Sequence, residues 1–121
     1  MLRLEPLRIG GRCTVFALAQ ENGCKAVDWL MELPEEVRLK LYRAIAMLAE
    51  QGLIRNQQRF RRLEDGVYEL KLRNPPVRLF CFQHGPDWVC THGDRKPGQR
   101  ELRVHIAKVK TLRKRLVEES S

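Results

Sequence analysis

From Arg61 to Lys96 the chain is three β-forming runs divided by two turn signals, and this stretch limits the fold more than any other. Val67 to Arg73 alternates cleanly: Tyr68, Leu70 and Leu72 point one way, and Val67, Glu69, Lys71 and Arg73 the other. Asn74-Pro75-Pro76 ends that run, because proline has no N–H to give a ladder. Val77–Gln83 is the next strand, His84-Gly85-Pro86-Asp87 the next turn, and Trp88–His92 the last strand. Strands joined by connections this short run antiparallel. With the turn at His84–Asp87, Gln83 faces Trp88, Cys81 faces Cys90 and Leu79 faces His92.

The rest of the chain supplies what covers such a sheet. Residues 1–12 alternate loosely through Leu2, Leu4, Leu7 and Ile9, and end in a Gly10-Gly11 turn. Cys13 to Leu18 is rich in β-formers and reads as a strand at about 13–18. Residues 24–51 read as a helical hairpin. Val27, Leu30 and Met31 share a face, and Pro34 with Glu35 and Glu36 suits the opening turn of a second helix. Val37, Leu41, Ile45 and Leu48 then form a core stripe, and Gly52 supplies a stop. After Pro97-Gly98, Leu102, Ile106, Val109, Leu112 and Leu116 form the stripe of a basic helix at about 99–117. With 121 residues, the expectation is one α+β domain, 1–121. Its antiparallel sheet at about 67–92, plus the strand at 13–18, carries an N-terminal helical hairpin and a C-terminal helix.

Charge narrows the partners. A formal net charge of +8 draws polyanions and makes their binding salt-sensitive. No apolar run approaches membrane length, and the opening residues are too interrupted by charge for a signal peptide, so a cytoplasmic protein with no membrane partner is expected. The four cysteines form no CxxC pair and read as reduced, buried thiols. Cys81, His84, Cys90 and His92 tempt a metal reading. However, the register spreads the two histidines by about 17 Å, beyond any shared zinc, so no metal and no cofactor is expected. A phosphate loop, a nucleophile elbow and a carboxylate pair are all missing, which argues against an NTPase, a serine hydrolase or a typical glycosidase.

A water-facing strand side explains Glu69 and Lys71. It explains Arg73, Arg78, His92, Arg95 and Lys96 less well, because these cluster at adjacent strand ends and in the loop after them. Arginine forks suit phosphate, and histidine moves protons near neutrality. Arg59, Arg61, Arg62 and Lys71 add candidate RNA-binding cations around the first turn.

The order of elements and three short motifs resemble the RelE/HigB-type toxins, most closely their phage Gp49-like branch. The motifs are Arg61-Arg62-Leu63 through Gly66-Val67-Tyr68-Glu69-Leu70-Lys71, then Arg78-Leu79-Phe80, then His92-Gly93-Asp94-Arg95-Lys96. The resemblance covers roughly residues 24–115. It implies a small RelE-like fold and an mRNA interferase that cuts messenger RNA on the ribosome by metal-independent 2′-hydroxyl attack. A cognate antitoxin, a small helix-turn-helix protein, would restrain it. By the same resemblance Arg73 and Arg78 grip the scissile phosphate, and His92, Arg95 and Lys96 supply proton transfer and charge. Lys71, with Glu69 beside it, falls where relatives place further catalytic groups. Two features differ from that pattern. No aromatic follows Trp88, and Asn74-Pro75-Pro76 stands where a Gly-rich turn is usual. The alternative is a non-catalytic phage or prophage protein of the same fold that binds RNA or a host protein. A DNA-binding regulator fits less well, because the last helix needs its apolar stripe for the sheet.

Overall fold

The computed structural model describes residues 1–120. Strands β1 (Arg3–Ile9) and β2 (Thr14–Ala19) come first, followed by helices α1 (Lys25–Glu32) and α2 (Glu35–Gln51). Strands β3 (Phe60–Glu64), β4 (Val67–Arg73), β5 (Pro76–His84) and β6 (Asp87–Arg95) follow, and helix α3 (Gln99–Glu119) closes the order. The strands form one sheet in the order β1-β2-β6-β5-β4-β3.

The fold is α+β as expected, but three particulars differ. The sheet is mixed rather than antiparallel, because β2 pairs with β6 in parallel, Val15 opposite Trp88 and Ala17 opposite Cys90. The helical hairpin is not the N-terminal element, since the β1–β2 hairpin precedes it. The sheet also reaches beyond 67–92 at both ends, taking in β3 and extending β6 to Arg95. The parallel pair follows from the route of the chain: α1 and α2 form the crossover that carries it away after β2.

Both faces of the sheet are covered. On one side α1 and α2 bury Leu30, Leu41, Ile45 and Leu48 against Val15, Leu70, Leu79, Cys81 and Trp88. On the other, Val109, Leu112 and Leu116 of α3 bury Leu18, Val67, Phe80, Phe82 and Val89. This double cover explains the loose alternation of the first strand. Leu4 packs on the α3 side and Leu7 on the hairpin side. Pro6, which has no N–H to donate, adjoins the break in β1–β2 pairing.

Local chemistry fixes the joins. Gly52 takes a left-handed φ of 78° and its N–H bonds Leu48 O at 2.7 Å, closing α2. Its own carbonyl accepts from Trp88 Nε1 at 2.8 Å, and the indole meets Phe60 and Tyr68 edge-on. Asp65 and Gly66 both have positive φ, as a two-residue hairpin turn between β3 and β4 requires.

The β5–β6 register corrects one expectation. Cys81 does face Cys90 and Gln83 does face Trp88, but His92 pairs with Phe80, not Leu79. Thr91 is an extra residue on β6, and the bulge it makes shifts every later partner by one. Gly93 then passes under α1, where a Cβ would overlap the Trp29 indole.

Candidate functional site

Two rows of paired residues cross the α3 face of the sheet. Arg61, Glu69, Phe80 and His92 stand in the first, and Lys71, Arg78 and Asp94 in the second. Glu69, with 1% of its surface exposed, is the centre of the first row. Its Oε1 accepts from Arg78 Nε at 3.0 Å and from Arg61 Nη2 at 3.2 Å, and Arg61 Nη2 also lies 3.3 Å from Oε2. A buried carboxylate is tolerable only with such partners. Arg78 is itself buried, and its Nη1 donates to the Leu72 and Val77 carbonyls at 3.0 Å each. Its Nη2 has no protein partner among the described residues.

Beside this pair lies a pocket of about 140 Å³, lined by Arg61, Glu69, Lys71, Arg78, Lys96, Pro97 and Leu102. Four cations thus surround one carboxylate. Lys71 stands opposite Arg78, and its pKa is pulled below the usual lysine value by burial first, then by the charges of Arg61 and Arg78. Such a site can hold a tetrahedral anion and offers an ammonium that gives up its proton more readily than usual.

At the other end of the first row, four groups form a hydrogen-bonded chain. Thr91 Oγ1 meets His92 Nδ1 at 2.8 Å, His92 Nε2 meets His105 Nδ1 at 2.8 Å, and His105 Nε2 meets Asp94 Oδ2 at 3.0 Å. The bulge allows the first contact, because it brings adjacent Thr91 and His92 to one side. With neutral rings the chain has one direction. His105 Nε2–H donates to the carboxylate, so His105 Nδ1 must accept from His92 Nε2–H, and His92 Nδ1 from the Thr91 hydroxyl. Burial, aided by His105, Lys108 and Lys25, pushes the His92 pKa down to about 4, so the neutral ring is its resting form. Both rings lie against Phe80, with centroids 5.1 Å and 4.6 Å away.

A family model described as phage derived protein Gp49-like (DUF891) matches residues 28–116. The chain belongs to that family. Every residue lining the pocket lies within the Gp49-like segment, whereas β1 and β2 precede it. Searches of curated proteins and of solved structures found no match.

Within this Gp49-like protein the sequence candidates divide among several places. Arg78, Lys96, Arg61 and Lys71 share the pocket. Arg73 and Arg59 do not: they line an adjoining cleft beside α2, which shares Lys71 with the pocket and where Arg73 Nη2 bonds Gln58 Oε1. Arg73 and Arg78 therefore do not line one pocket together, although both charges act on Lys71. His92 is buried, with both ring nitrogens engaged, and is not among the residues lining the pocket. Arg95 is exposed and lines a cleft on the hairpin side with Trp29 and Pro76. Arg62 is exposed and pairs with Tyr68, whose ring joins the hairpin-side core, so it stands on the face away from the pocket.

Sequence reasoning passes over His105 and places Glu69 on a solvated strand side, where the family resemblance alone sets it beside a catalytic position. Glu69 is instead the buried centre of the cation cluster. His105 was not singled out, although it falls three residues after Leu102 and four before Val109, within the apolar stripe of α3. A polar residue on a core stripe was the available signal. No helix among the described residues is long and apolar enough to cross a membrane.

Proposed function

We propose that this Gp49-like protein is an RNA-cutting toxin of the RelE/HigB kind, acting in the cytoplasm on messenger RNA at the ribosome and restrained by a cognate antitoxin. The observation that carries this reading is the cluster of Arg61, Lys71, Arg78 and Lys96 around buried Glu69, in a pocket of about 140 Å³. In the reaction the substrate 2′-oxygen bonds to the adjacent phosphorus as the bond from phosphorus to the 5′-oxygen breaks. The products are a 2′,3′-cyclic phosphate and a 5′-hydroxyl. The free Nη2 of Arg78, with Arg61 and Lys96, supports the charge that grows on the phosphoryl oxygens, so no metal is needed for that task. Lys71, its pKa lowered, donates a proton to the departing 5′-oxygen. Glu69 Oε2, whose one hydrogen-bond partner among the described residues is Arg61 at 3.3 Å, accepts the 2′-hydroxyl proton. His92 acts at a remove in this reading, by tying the first turns of α3 to the sheet beside the pocket.

Purified protein added to translating ribosomes, with primer extension on the message, tests the assignment. The expected result is cuts inside translated codons leaving 5′-hydroxyl ends, slowed about 10²-fold or more by Lys71→Ala. Intact message, or a Lys71→Ala variant that cuts at the parent rate, would sink it. One observation favours the binding alternative: Arg78 spends Nε and Nη1 on protein acceptors, which suits a rigid docking surface. That reading expects salt-sensitive RNA retention and intact message in the same assay.

A further inference from the structure

The cleft beside α2 is larger than the candidate catalytic pocket and differs from it in kind. It has a volume of about 500 Å³, within the range of roughly 300–1,000 Å³ common for small-molecule sites. Lys40, Arg43, Arg59, Lys71 and Arg73 line it, and no carboxylate does. Its remaining walls are apolar, from Ala44, Met47, Ile54 and Leu72, together with the amides of Asn56 and Gln58. Five cations without an acid call for an anion, and the apolar wall calls for something flat and poorly hydrated attached to it. A nucleotide has both parts.

The hydrogen-bonding groups narrow the base. Asn56 Oδ1 already accepts from the Gln58 N–H at 2.9 Å, and Gln58 Oε1 already accepts from Arg73 Nη2. Each amide oxygen thus has one of its two lone pairs engaged while its NH₂ makes no hydrogen bond among the described residues, and the lysines and arginines offer only N–H. The side chains Arg43 and Arg59 are exposed and have no hydrogen bond or ion pair among the described residues. Side chains in this cleft consequently present donors and almost no acceptors. Guanine carries two adjacent acceptors, O6 and N7, on one edge with no donor between them. Adenine places an amino group there, which would meet a wall made mostly of donors.

We propose that this cleft is a guanine-nucleotide subsite for the RNA strand, continuous with the candidate catalytic pocket through Lys71, which lines both. The proposal deepens the RNA reading and rests on it for the source of the nucleotide. It also gives Arg59 and Arg73 a task away from the scissile phosphate.

Equilibrium binding of 5′-GMP, 5′-IMP, 5′-AMP and inorganic phosphate to the full chain at low salt tests it without any cleavage. IMP keeps O6 and N7, so GMP and IMP should bind alike, about tenfold or more tighter than AMP, with phosphate weakest. Arg43→Ala with Arg59→Ala, two exposed changes whose folding is checked by circular dichroism, should weaken GMP at least tenfold. The trinucleotide ApGpA should bind tighter than GMP, because its flanking phosphates reach Lys71. AMP or phosphate matching GMP would reduce the cleft to a general cationic patch and overturn the proposal. ApGpA binding no better than GMP would overturn the assignment to an RNA strand. GMP preference with intact message in the translation assay would retire the nuclease and leave the subsite standing.

Discussion

His92 on β6 and His105 on α3 share a hydrogen bond of 2.8 Å between Nε2 and Nδ1, and both rings rest on Phe80. The contact makes the seat of α3 sensitive to protons. His92 titrates at about 4 in the folded chain against about 6.5 for an ordinary histidine. The unfolded chain therefore binds the extra proton first as pH falls. The stability contributed by the neutral ring is complete above about pH 6.5 and is lost progressively down to about pH 4. Urea unfolding at pH 7.5 and pH 5 should differ by about 2 kcal/mol from this group. A His92→Asn variant should show a smaller difference, and an unchanged difference would place the sensitivity elsewhere.

The Glu69–Arg78 pair answers differently to substitution. Both side chains are buried, so Glu69→Ala leaves a guanidinium without its counter-charge and should cost about 3–5 kcal/mol in denaturant unfolding. Glu69→Gln keeps an acceptor oxygen and should cost less. Arg78→Ala leaves the buried carboxylate with Arg61 alone, so lost activity in that variant mixes catalysis with folding. Lys96→Ala separates the two. Its side chain is exposed, stability should stay within about 0.5 kcal/mol, and any loss of RNA cleavage or binding then reports on the pocket.

Gly93 has a packing duty inside a motif that reads as catalytic. A Cβ there would overlap the Trp29 indole, so Gly93→Ala must push α1 away from β6. A destabilisation of about 1–3 kcal/mol is expected, with a shift in tryptophan emission as Trp29 gains water. Parent-like stability and emission would show that α1 has room to move.

The four thiols should be silent in the native protein. Cys13, Cys24, Cys81 and Cys90 are all buried, and burial pushes the Cys13, Cys24 and Cys81 thiols above their ordinary value. A thiol-specific reagent should label almost nothing until denaturant is added, and then all four. Rapid labelling of one cysteine under native conditions would reveal local opening around it.

Strands with one dominant pattern were legible, and strands covered on both faces were less so. β4, β5 and β6 show themselves by alternation and turn residues, and the cross-strand position of Cys81 and Cys90 follows from turn length alone. β3 did not, because Arg61 and Arg62 conceal it, although Asp65-Gly66 is a hairpin turn that demands a strand before it. The parallel join of β2 to β6 has no local signature, since it depends on where a crossover lands. In the site, the cations were visible but their sorting was not. The Thr91 bulge moved His92 to Phe80, and only packing could tell that Glu69 is buried while Arg73 belongs beside α2.

The join between β2 and β6 also sets a timetable. Thr14 N–H waits for the Asp87 carboxylate, and the pocket has no rim until Lys96, Pro97 and Leu102 arrive with the start of α3. A growing chain therefore holds its arginines long before it holds a site. On the proposed reading, the ribosome that makes this protein is out of reach of its own product until the last helix has emerged and settled on the sheet.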